Sequence, residues 1–144
     1  HIYMAVTAAT NAVREVEAYG PNNDGGQRRF TVAAGTDIAK GSLLKFADPR
    51  TASQSSGEGD IIAGVAAMDK EGDDPSTEIS VWTNGIYEFT ASGSITAGDH
   101  VQSSDVMVNG IITSGDVANS TQIIIGTALK SVSTTERVQV RMNL

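Results

Sequence analysis

The sequence predicts a mainly β domain built of short strands, and three observations carry that prediction. Two Asn-Gly pairs, Asn84-Gly85 and Asn109-Gly110, sit between β-rich flanks. The closing segment Arg137–Leu144 alternates strictly between apolar and polar residues, and no long helical periodicity interrupts the chain. Asn and Gly tolerate the positive φ that a two-residue type I′ turn demands, so each pair predicts a tight hairpin.

The first hairpin would pair Trp82 with Tyr87 and Ser80 with Phe89. Trp82, Tyr87 and Phe89 would then share one face, and Ile79, Val81 and Ile86 the other. With both faces apolar, one is expected to meet the core and the other a neighbour. The second hairpin would join Val106-Met107-Val108 to Ile111-Ile112-Thr113. In the last strand Val138, Val140, Met142 and Leu144 form the buried face, while Arg137, Gln139, Arg141 and Asn143 face outward. Upstream, Arg28–Ala33 alternates like a strand, Gly41 divides two apolar runs within Thr36–Phe46, residues 47–60 read as a polar loop, and Ile61–Met68 is an apolar run.

The two halves echo each other. Asp37-Ile38-Ala39-Lys40-Gly41 matches Ser94-Ile95-Thr96-Ala97-Gly98, and Ile61-Ile62-Ala63-Gly64-Val65-Ala66 matches Ile123-Ile124-Ile125-Gly126-Thr127-Ala128. Ser76–Val81 resembles Thr134–Val140 after a one-residue slip. Two copies, at about 36–90 and 93–144, predict a small barrel or sandwich with an internal two-fold repeat. The period is too long and the copies too few for a solenoid. His1-Ile2-Tyr3 reads as a cloning remnant ahead of Met4. Residues 4–27, which end in the turn-forming cluster Gly20–Gly26, read as an extended N-terminal arm, and 28–144 as one β domain.

Composition narrows the function. The chain of 144 residues suits a single domain, and its formal charge of −7 makes its surface repel phosphate. Basic residues never run longer than Arg28-Arg29, so nucleic-acid binding by counterion release is not expected, nor is any membrane span. With no cysteine, disulfides, thiolate metal sites and cysteine nucleophiles are excluded. His100, the one histidine outside the leader, has no partner for a metal site or a triad and reads as a loop residue beside Asp99. The acidic group Asp69, Glu71, Asp73 and Asp74 lacks the twelve-residue frame of a calcium loop, which Pro75 breaks. Neither a P-loop nor a nucleophile elbow is present. No enzyme activity, metal or cofactor is therefore expected. Scarce aromatics and many small residues point to a lean core that gains strength by association.

Three stretches, taken together, resemble a known family: Thr36–Phe46 with Asp48-Pro49-Arg50, then Ile62-Ala63-Gly64-Val65-Ala66, then Thr77–Gly85. They look like the tailed-phage capsid cement family, over roughly residues 30–130. The resemblance implies a β-tulip or β-clip-like fold and a role similar to that of the head decoration protein of phage lambda. It implies a homotrimer on the outer capsid surface of the virion, bound to the major capsid protein partly through an N-terminal arm. Arg14, Tyr19, Arg28 and Arg29 are the residues expected to bind the capsid, and Trp82, Tyr87 and Phe89 are expected at a subunit or core interface. On this reading, deleting residues 4–26 leaves a folded trimer that has lost its hold on the capsid. The alternative is a carbohydrate-binding or adhesin-like β domain that stacks a sugar on Trp82 and Tyr87. A third reading, an enzyme accessory domain of the β-clip type, would need a separate catalytic partner.

Overall fold

The computed structural model describes residues 6–18, 26–33, 35–48, 51–55, 57, 60–72, 77–104, 107–113 and 123–144. Among these are eleven strands and no α-helix: β1 Arg14–Ala18, β2 Arg28–Thr31, β3 Leu43–Asp48, β4 Thr51–Gln54, β5 Ile62–Ala66, β6 Glu78–Trp82, β7 Asn84–Ala91, β8 His100–Ser103, β9 Gly110–Thr113, β10 Gly126–Ala128 and β11 Arg137–Asn143. The mainly β prediction holds.

The strands close into two small barrels. The first runs β2-β4-β3-β5-β6, and β2 returns to pair with β6. The second runs β7-β9-β8-β10-β11, with β11 returning to β7. Strand for strand the two have one topology. β2 pairs with β4 in parallel as β7 does with β9, and every other neighbour is antiparallel. Closing each sheet on itself leaves little open edge, which suits strands only three to eight residues long. The repeat reaches fine detail. The isolated bridges Ile38↔Lys70 and Ile95↔Val132 occupy matching places, and Gly41 and Gly98 make matching turns at φ +87° and +93°. Each unit takes β2 or β7 as its first strand.

Two apolar clusters form the core. The interior of the first barrel holds Phe30, Leu44, Ala63, Ile79 and Val81 among others. The larger cluster fills the second barrel with Tyr87, Phe89, Ile111, Val138 and Val140, and it also takes in Leu43, Val65 and Trp82 from the first. Period-two alternation explains the division. Leu44 and Val81 point into the first barrel, while their neighbours Leu43 and Trp82 point out and pack against the second. β11 shows the expected alternation in full: Val138, Val140 and Met142 are buried and the residues between them face out.

Three local expectations are corrected. The Asn84-Gly85 hairpin does not form. Only Gly85 has positive φ, at +130°, whereas a type I′ turn needs it at both residues. β6 ends at Trp82, Thr83 interrupts the strand, and β7 carries the chain onward into the other barrel. The reason lies in the two apolar faces: a local hairpin leaves one exposed, while a crossing between barrels buries both. Trp82 and Tyr87 still meet, ring centroids 5.3 Å apart, but inside the core rather than as an opposed strand pair.

The Asn109-Gly110 turn does exist, but its strands are Val101–Ser103 and Ile111–Thr113. Met107 and Val108 belong to the turn, closed by the Gly110 amide donating to the Met107 carbonyl at 3.0 Å, and Val106 lies outside the described residues. Residues 51–54 of the expected polar loop form β4, which turns only Ala52 into the core.

The N-terminal segment is part of the fold. β1 pairs antiparallel with β7, Arg14 opposite Glu88 and Ala18 opposite Gly85. Val13 is buried in the larger cluster, and its amide donates to the Gly41 carbonyl at 2.9 Å. The Arg137 guanidinium donates to the Ala12 carbonyl at 2.7 Å. Asn109, at φ +58°, accepts from the Leu43 amide and donates to the Thr10 carbonyl, both at 2.9 Å. This one side chain joins three distant parts of the chain. Asn109→Ala leaves a buried amide without its acceptor and places a poor residue at positive φ, so a loss of about 2–3 kcal/mol is expected in urea denaturation. A loss below 0.5 kcal/mol, roughly the level of an ordinary surface change, would contradict the role.

Candidate functional site

Of the four residues expected to bind a capsid, Arg14, Arg28 and Arg29 lie among the described residues, and they stand on different strands. Arg14 is exposed on β1, 4.0 Å from the Glu88 carboxylate, which also lies 4.0 Å from Arg137. Arg29 pairs with Glu78 at 3.4 Å on the surface of the first barrel. Such exposed pairs contribute little, about 0–1 kcal/mol. Arg28 is exposed and has no ion pair among the described residues. Arg14 stands opposite Glu88 on β7 and Arg28 opposite Val81 on β6, on either side of the break at Thr83. Tyr19 lies outside the described residues, as do Asp73 and Asp74.

Trp82, Tyr87 and Phe89 come together in the core. Trp82 is 6% exposed and Tyr87 0% exposed, with the Tyr87 hydroxyl donating to the Asn84 carbonyl at 2.9 Å. Neither ring offers a face to a sugar, which removes the stacking platform on which the adhesin-like reading rests. Lys40 Nζ sits 5.5 Å from the centre of the Trp82 ring at the edge of this cluster.

Asp37, Asp69 and Asp99 shape turns. Asp69 accepts from the Lys40 amide at 2.7 Å, and Asp37 accepts from the Gly72 amide. Asp99 accepts from the Thr96 amide at 2.9 Å and from the Thr113 hydroxyl at 3.2 Å. His100 begins β8 and lines a shallow hollow with Arg141 and Asn143, its Nδ1 buried without a hydrogen-bond partner. Among the described residues, no group of three His, Asp or Glu side chains is placed to hold a metal.

A more distinctive feature is the mouth of the first barrel. Arg28, Phe30, Phe46, Ile61, Ile62, Ala63, Thr83 and Leu144 enclose about 490 Å³ there. Phe46 and Ile61 are 42% and 45% exposed, although the Phe46 ring packs edge-on against Phe30 at 5.5 Å. These residues come from five places in the chain, so no local pattern could reveal them as one surface.

Residues 23–144 match the phage cement protein family. The chain belongs to that family. It is therefore a structural protein of the phage virion, located at the capsid surface. The fold agrees with that of the head fibre gp8.5 N base of bacteriophage phi29. The alignment has a TM-score of 0.54 and 18% identity, and it covers 81% of this cement protein and 94% of the fibre base. No curated protein matches the sequence.

Proposed function

We propose that this cement protein binds the outer surface of the assembled head as a homotrimer, contacts the major capsid protein and reinforces the shell. The family match over residues 23–144 carries the reading. A trimer engages three lattice sites together, so modest contacts per subunit multiply into firm attachment. Arg14, Tyr19, Arg28 and Arg29 are the proposed capsid contacts. Arg14 on β1 and Arg28 and Arg29 on β2 would then hold the capsid from two strands.

The test is co-sedimentation of the purified protein with empty cognate heads, together with its mass by light scattering. A trimeric mass and saturable pelleting with heads are expected, and decorated heads should withstand a higher temperature before rupture. Protein that stays in the supernatant at micromolar concentration with intact heads would refute the proposal.

A further inference from the structure

We infer that the open mouth of the first barrel receives an apolar side chain of the major capsid protein, flanked in that protein by a carboxylate that pairs with Arg28. This rests on the capsid-binding reading and assigns its docking site. The internal repeat supplies the comparison. By strand register, Arg28, Phe30 and Phe46 of the first barrel correspond to Tyr87, Phe89 and Ser103 of the second.

In the second barrel that end is plugged. Tyr87, Phe89 and Ser103 are buried, and the Ser103 hydroxyl donates to the Gly57 carbonyl at 2.7 Å and accepts from the Asp60 amide at 3.3 Å. Backbone at Gly57 and Asp60, between β4 and β5, thus covers one mouth, while the other keeps Phe46 and Ile61 open to water. The two are locked side by side by the Phe46 amide donating to the Ile61 carbonyl at 2.9 Å. A contiguous apolar surface held open in this way marks an interaction site, and in the twin barrel the occupant is polypeptide.

Charge decides which polypeptide. Arg29 already has Glu78, but Arg28 stands at the rim with no ion pair among the described residues. Covering a guanidinium without a carboxylate is unfavourable, so the occupant must bring one. On a chain of net charge −7, a guanidinium at the rim of an apolar hollow favours an acidic partner and orients its approach.

The experiment measures binding of full-length protein to empty cognate heads for Phe46→Asp, Arg28→Glu and, as a control on an exposed apolar residue elsewhere, Val108→Asp. Arg28 is a surface residue, so its reversal leaves folding intact even if Phe46→Asp does not fold. With oligomeric mass unchanged, Phe46→Asp is expected to weaken binding by about 30-fold or more, and Arg28→Glu by about tenfold. Val108→Asp should bind as the unaltered chain does. If folded Phe46→Asp and Arg28→Glu decorate heads normally, the mouth is not the docking site, while the capsid-binding reading stands. If the unaltered protein fails to bind heads, both fall. If either variant loses oligomeric mass instead, the occupant is a second copy of this chain, and the assignment to the capsid protein is overturned.

Discussion

Gly126→Ala is expected to destabilise the protein by about 3 kcal/mol or more, lowering the urea midpoint by about 1–2 M. A Cβ at this position would lie 2.1 Å from the Arg141 carbonyl oxygen and 3.0 Å from the Val140 side chain. The obstacle is main chain of the neighbouring strand, so no rotamer change relieves it. β10 and β11 must part, and their separation opens the second barrel where Gly126 stands opposite Met142. Gly64 is the counterpart in the first barrel, with a Cβ placed 2.3 Å from the Trp82 carbonyl oxygen and φ at +151°. Gly64→Ala should therefore match or exceed the effect. Gly93→Ala is the control, since its Cβ would approach nothing closer than 3.9 Å. Equal midpoints for all three variants would refute the close-approach argument.

Deleting residues 4–18 is expected to lower the melting temperature by about 10–15 °C. Burial of Val13 contributes about 1.5–3 kcal/mol and the charge-assisted bond from Arg137 to the Ala12 carbonyl about 1.5–3 kcal/mol. Removing β1 also uncovers the edge of β7 from Gly85 to Glu88. Arg14→Ala should change little, because its contact with Glu88 is long and exposed. The contrast separates a structural N-terminal strand from a detachable arm. A truncated protein that melts like the full chain would show that β1 adds nothing to the fold.

The parts legible in the sequence are those whose constraint is local. β11 could be read because its one buried face imposes strict alternation on Val138, Val140 and Met142. The repeat could be read because backbone contact keeps Gly64 and Gly126 as glycine, and because Gly41 and Gly98 make matching turns. The Asn84-Gly85 crossing was hidden, since turn propensity does not register that a second barrel is waiting to bury Trp82. β4 was hidden because only Ala52 of its four residues faces the core. The anchoring of the N-terminal segment was hidden for a different reason: its partners Asn109 and Arg137 stand 99 and 125 residues away from Thr10 and Ala12. The barrel mouth combines Arg28, Phe46 and Ile61, which only the closed sheet brings together.

The passage through Thr83 has a mechanical consequence. Two rigid bodies joined by one strand residue would ordinarily bend at that residue. Here the Thr83 hydroxyl donates to the Gly26 carbonyl at 2.8 Å, and its own carbonyl accepts from the Leu144 amide at 3.0 Å. β1 and β2 lie along β7 and β6 on either side of the break, so the joint is splinted by chain on both flanks. Load applied to one barrel passes to the other through hydrogen bonds in shear, which must break together instead of one after another. The hydrogen bonds around Thr83 thus favour transmission of tension across the joint over bending at it.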